Sequence, residues 1–288
     1  MKPGLIYEMI FHHYVNKKKV TRPFDLSGGR KLLIMATGKS AGEYWDQPDN
    51  QERFKEYDML VMNRSIYKME KEVFEKKPRY FAACDPIYWG EGSSSVNGAL
   101  VAETFQKTTA VLEKVDWDCY LVTSIHEKFA IKNEHIHIIR LNATTYDTDS
   151  EMCYKLYKDN FCSPPIKNVG QLALYFGITF GYKELAVVGM DFDFFKNLFC
   201  DEKCLVGLYA EHQYDKIDGK VVEAHFSKEK YGTINNSVLA KYLLNISDTF
   251  GAYGKLSLYA EKMGGKIINY SIESMLDCYE KRRMNEGA

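Results

Sequence analysis

A membrane span is missing from this sequence: nowhere in its 288 residues do about 18 apolar residues run together. Missing too is the basic start, apolar run and small-residue cleavage site of a secretory leader, so a cytoplasmic protein is expected. Charge of one sign is not in excess. The formal net charge of −1 gives no long-range pull toward nucleic acid or an anionic membrane, and any phosphate-bearing ligand must be held by local groups. The seven cysteines, scattered from Cys84 to Cys278 without a CxxC pair, fit a reducing compartment rather than a disulfide framework. Cys200 and Cys204 have only His212 and His225 downstream, which reads as free thiols in preference to zinc. Internal repeats and low-complexity tracts are absent.

What remains is a chain that is 45% hydrophobic and long enough for one large core, or one core and a small subdomain. Residues 1–27 read as an N-terminal helical arm. Ile6, Met9, Ile10 and Tyr14 share a face that closes on Lys17, Lys18 and Lys19. Packing on the body or on a second subunit of a homo-oligomer is the first expectation for this arm, and a peripheral membrane contact the second.

From Lys31 the pattern is α/β. KLLIMATG, YDMLVMN, RYFAACDP, DCYLVTS, HIHIIRLN, ELAVVGMD and KIINYS each carry a short apolar run. Runs apolar at consecutive positions indicate strands covered on both faces, so we expect a Rossmann-like, mostly parallel sheet of about seven strands with helices on both faces. The segment from Val169 to Phe195 reads as a helix, a glycine turn and a buried parallel strand ending at the ligand cleft. Asn235 to Lys262 reads as helices interrupted at Gly251 and Gly254, with a last helix from Ser274. Residues 194–224 break the βα rhythm and include a hairpin turn at Asp218-Gly219. They are expected to form a lid inserted into a nucleotide-binding domain of residues 28–193 and 225–288.

Ligands bind beyond the carboxyl ends of such strands. There stand Thr37, Gly38, Lys39 and Ser40; Asn63, Arg64 and Ser65; Asp85, Pro86 and Tyr88; and Asp191 and Asp193. Taken singly, Asn63 is a good helix N-cap and Asp85-Pro86 a good turn opener; jointly they mark a site. TGKS at 37–40 lacks the upstream glycine of a P-loop, which excludes a Walker-type ATPase. Asp191-Phe192-Asp193 has the form of a metal-holding DxD, with both carboxylates on one side of a strand. Asp147-Thr148-Asp149 and Asp116-Trp117-Asp118 match it equally, so metal is not favoured. Histidine suits proton abstraction from a sugar hydroxyl at neutral pH. His212 and His225, in or beside the lid with Tyr209, Tyr214 and Tyr231, are the base candidates, with His126 at a strand end kept open.

NVGQLALYFGITFGYKELAVVGMDF resembles the central segment of the bacterial sialyltransferases of glycosyltransferase family 42. ATGKS, MNRSIY, CDPIYW, AHFSKEK and YAEKMGGKIINYSIESML stand where that family has its first turn, second-strand end, proline turn, lid-border histidine and terminal helix, strand and helix start. The resemblance covers roughly residues 31–280. It implies a nucleotide-sugar donor, CMP-linked, an inverting reaction without a metal cofactor, and a saccharide acceptor stacking on lid aromatics. Gly38, Ser40, Asn63 and Gly170 would be donor-site residues, with Thr37, Asp85, Asp191 and Asp193 beside them, and His225 the base. The pattern also departs from the family. Thr37 and Asp85 replace asparagines, Val169 replaces a serine, Ile166 an arginine, and Asp193 a tyrosine, which argues against sialic acid as the donor more than against glycosyl transfer. Two rivals remain: a magnesium-dependent phosphotransferase resembling pterin diphosphokinases, using Asp85, Asp191 and Asp193, and a non-catalytic nucleotide- or saccharide-binding module.

Overall fold

The computed structural model describes residues 20–91, 98–125, 127–129, 131–203, 205–210, 222–228 and 232–285, with 194, 210 and 222–225 described by backbone alone. The helical arm expected over residues 1–27 lies mostly outside them. Its described end, residues 20–27, carries no helix and is tied down where Thr21 N donates to Arg140 O and Leu26 N to Phe180 O.

All seven expected strands form: β1 (Lys31–Met35), β2 (Tyr57–Met62), β3 (Tyr80–Ala82), β4 (Cys119–Ser124), β5 (Ile136–Leu141), β6 (Glu184–Val188) and β10 (Lys266–Asn269). An eighth, β11 (Glu280–Lys281), adds an edge. The sheet order is β11-β10-β6-β1-β2-β3-β4-β5, and every neighbouring pair is parallel. The chain walks outward from β1 to β5, then returns to the other side of β1 as β6. The order therefore reverses between β1 and β6, which is where a crevice opens in such sheets.

Helices cover both faces. They are α1 (Gly42–Trp45), α2 (Pro48–Arg53), α3 (Ser65–Lys68), α4 (Glu70–Lys76), α5 (Gly98–Lys114), α6 (Glu151–Lys158), α7 (Val169–Thr179) and α8 (Val238–Lys262). Along β1, Leu32 and Ile34 enter the core beneath α6, α7 and α8, while Leu33 and Met35 enter the core beneath α1, α3, α4 and α5. Consecutive apolar residues are thus a period-two alternation facing two packed layers. All eleven residues of α7 are buried, which accounts for its lack of a polar face.

Two expectations are corrected here. Asn235 to Lys262 is one 25-residue helix from Val238, not two. A Cβ at Gly251 or Gly254 would meet nothing within 4 Å, so neither glycine marks a close approach. The penalty of roughly 1 kcal/mol per helical glycine is overridden by burial of Tyr253, Leu256, Tyr259 and Ala260. No helix starts at Ser274, whose hydroxyl instead donates to Met190 O at 2.6 Å. Residues 198–225 contain a separate antiparallel sheet, β7 (Leu198–Cys200), β8 (Val206–Ala210) and β9 (Val222–His225), while the Asp218-Gly219 turn lies outside the described residues. No helix among the described residues is long and apolar enough to cross a membrane.

At the amino edge of the sheet a buried carboxylate joins three segments. Asp58 on β2 is met by Arg30 at 2.9 Å and Arg79 at 2.7 Å, and accepts from the Tyr182 hydroxyl. Asp58→Ala strands those donors and is expected to cost about 3 kcal/mol, the low end for a buried pair because both arginines are partly exposed. Tyr182→Phe is expected to cost about 1 kcal/mol. Urea unfolding of the two variants checks the ranking.

Candidate functional site

A cleft of about 480 Å³ opens at the reversal point. Its walls come from the segments following β1 (Thr37, Gly38, Lys39), β2 (Asn63) and β6 (Met190, Asp191, Phe192, Asp193), from the start of α7 (Lys167, Asn168, Val169, Gly170), and from Asn197, Leu208, Thr249 and Tyr253. Of the expected donor residues, Thr37, Gly38, Asn63, Gly170, Asp191 and Asp193 are brought together here.

Asn63 sits in the left-handed region at φ 53°, which asparagine tolerates better than most side chains. It is not the helix cap its position suggests. Arg64 occupies that place, without a side-chain bond, and Asn63 N donates to Ala82 O at 3.0 Å. The Asn63 Oδ1 is buried and has no hydrogen-bond partner. A buried acceptor left unmatched costs about 1–3 kcal/mol, and a ligand donor meets this one only if the Asn63 side chain turns toward the cleft.

The start of α7 supplies the opposite polarity. Asn168 caps the helix by accepting from Gln171 N at 3.0 Å, and Leu172 N donates to Asn168 O. The amides of Val169 and Gly170, residues that line the cleft, stand at the positive end of the helix dipole. Gln171 accepts from Lys167 N and donates to Thr249 O, which fixes the turn against α8. Tyr253 donates its hydroxyl to Asn168 Oδ1 at 2.9 Å. Burial pushes this phenol far above its ordinary range, so it remains a neutral donor. A Cβ on Gly170 would stand 2.8 Å from that phenol oxygen, which explains the glycine.

The two carboxylates of the DxD are already engaged. β6 ends at Val188 and Phe192 has φ 51°, so Asp191 and Asp193 do not lie on a strand as expected and have no shared strand face. Asp191 accepts from Ser40 N at 3.0 Å and from the Ser40 hydroxyl. Asp193 pairs with Lys39 at 2.8 Å. Among the described residues no group of three or more His, Cys, Asp or Glu side chains is arranged to hold a metal ion.

The remaining expected residues are dispersed. Ser40 lines the neighbouring cleft rather than this one, and its hydroxyl is spent on Asp191. The Gly38 amide donates to Gly189 O at 2.9 Å and so is not open to a phosphate. Asp85 caps the turn Pro86–Trp89 through Ile87 N and lines no part of the cleft. On β8, Leu208 lines the cleft, while its neighbour Tyr209 stacks on Phe199 at 4.4 Å. His225 ends β9 opposite Gly207. His126, His212, Tyr214 and Tyr231 lie outside the described residues. Sequence reasoning placed Lys39 among the edge residues that mark the site, but did not assign Lys167, Asn168 or Tyr253 to it. Lys39 was visible in TGKS and Asn168 as a cap before an apolar run, but nothing distinguishes Tyr253 among 21 tyrosines.

No protein-family model and no curated protein matches the chain. Among solved structures, the MAf glycosyltransferase from Magnetospirillum magneticum AMB-1 aligns with 98% of this chain at 13% identity and a TM-score of 0.44. This chain covers 39% of that one. At this similarity neither activity nor residue roles transfer.

Asp191→Ala removes both acceptors of Ser40 and is expected to destabilise by about 2–3 kcal/mol. Asp193→Ala breaks an ion pair whose lysine is 43% exposed and should cost under about 1 kcal/mol. Equal losses in denaturant melts would refute this division of roles.

Proposed function

We propose that the chain is a cytoplasmic glycosyltransferase. In this reading it moves a sugar, with acidic sugars such as sialic acid or Kdo as candidates, from a CMP-linked donor to a saccharide hydroxyl in surface polysaccharide or lipooligosaccharide assembly. The observation that carries it is a reversal-point cleft lined both by Asn63, whose buried Oδ1 has no partner, and by Lys167 and the first turn of α7. A hydroxyl-bearing, anionic ligand satisfies both at once, and a nucleotide-linked sugar has that character. The resemblance of NVGQLALYFGITFGYKELAVVGMDF to family 42 sialyltransferases supports the same class.

In the reaction, the acceptor oxygen attacks the anomeric carbon, the bond to the phosphate oxygen breaks, and the phosphate departs with the electron pair. The α7 amides and Lys167 stabilise the departing charge. His225, the lid-border histidine of the family resemblance, takes the acceptor proton in this reading. The small sheet β7–β9 then serves as the lid. The magnesium phosphotransferase has little support, because Asp191 and Asp193 are engaged by Ser40 and Lys39 and Asp85 lies away from the cleft.

CMP is expected to raise the melting temperature equally with magnesium and with EDTA, and Asn63→Ala to weaken CMP binding about tenfold, the worth of one buried hydrogen bond. His225→Ala should lower turnover of the donor by about 10²–10⁴ while leaving CMP affinity within about twofold. Stabilisation only by a magnesium-nucleotide complex would sink the reading. CMP binding without turnover of any nucleotide sugar would favour the binding module.

A further inference from the structure

On the other side of the Gly38–Ala41 turn lies a second, larger cleft of about 710 Å³. It opens at the same carboxyl edge, between α1, α2 and the segments that follow β10 and β11. The two clefts share Lys39, Asp191 and Asp193 and so adjoin along these residues. Their electrostatics differ. In the first, Lys39 and Lys167 balance Asp191 and Asp193, and the positive end of α7 is added to them. The second presents the exposed carboxylates of Glu43, Asp46, Asp49 and Glu273, none of which has an ion-pair partner among the described residues, and Arg283 also lines it.

We propose that this second cleft is the acceptor subsite, and that it takes a neutral or amine-bearing saccharide and excludes an anionic one. A transfer between two substrates needs two pockets that meet at the reacting atoms, and the shared Lys39–Asp193 wall is where these two meet. Carboxylates accept from sugar hydroxyls and attract ammonium groups, while four unpaired negative charges repel a second anion. The acidic lining also keeps a nucleotide from occupying the acceptor side, so specificity comes from repulsion as well as attraction. The size allows more than one sugar ring. The proposal rests on the glycosyl-transfer reading for the name acceptor. The saccharide site itself does not depend on it.

The test is ligand-observed NMR on the full chain, with and without CMP, using three probes: a glucosamine disaccharide, its neutral N-acetylated counterpart and a glucuronate-containing disaccharide. The amine disaccharide is expected to bind most tightly, the neutral one about fivefold more weakly, and the glucuronate not measurably. Glu43→Lys combined with Asp49→Lys, both at exposed positions, should weaken the amine disaccharide at least about tenfold and leave CMP affinity within about twofold. Asn63→Ala should do the reverse. The proposal is overturned if no saccharide binds, if the glucuronate binds as well as the amine, or if the double variant weakens CMP as much as the disaccharide. Disaccharide binding by a wild-type chain that binds no nucleotide would refute the donor reading and leave this saccharide site standing.

Discussion

The Asp191 carboxylate is the fastening on which the carboxyl edge depends. It follows β6, yet both of its oxygens accept from Ser40, in the turn after β1. The Ser40 hydroxyl lies 2.8 Å from that of Ser271, beyond β10, which in turn accepts from Gly189 N at 2.8 Å. Met275 N donates to Asp191 O at 2.8 Å. Three adjacent strand ends are thereby tied through one carboxylate and two hydroxyls, in a region where charge-assisted bonds are stronger than in water. The tie sets the wall between the two clefts. It also explains Gly38, where a Cβ would stand 2.5 Å from both Asp191 Oδ2 and Gly189 O.

The second fixed wall comes from a helix that has no exposed face. Because α7 is buried throughout, it cannot slide or roll without opening two layers of packing. Its first turn is held from both sides, by Asn168 capping within the helix and by the Gln171–Thr249 and Tyr253–Asn168 bonds from α8. The amides of Val169 and Gly170 are therefore held in place before any ligand arrives. Preorganised dipoles of this kind lose little to rearrangement when they meet developing charge.

Seven strands and the carboxyl-edge location of the cleft were legible in the sequence because consecutive apolar runs and polar strand ends are local signals. β11 was not. Glu280-Lys281 is two charged residues, paired only because β10 is already in place. The continuity of α8 was hidden by its glycines, since the burial that overrides their propensity is tertiary. Ser40 and Asp191 both read correctly as edge residues, but their bond spans 151 positions and no local pattern encodes it. The same holds for Asn63. Its sequence context fits a cap, and only the left-handed backbone turns it into a wall of the cleft.

Phe192 shows why the DxD misleads as a motif. A bulky side chain in the left-handed region carries strain of about 1–3 kcal/mol, tolerated only where the surroundings fix it. Here the ring packs edge-on against Tyr253 at 4.8 Å and Phe250 at 5.9 Å, which offsets that strain through aromatic contact and burial. The consequence is a bend between the two acids that an extended strand would not make. Asp191 closes on Ser40 in the wall, and Asp193 reaches Lys39 where the clefts adjoin. One aromatic residue thus converts a pattern suited to chelation into a structural tie and a surface ion pair.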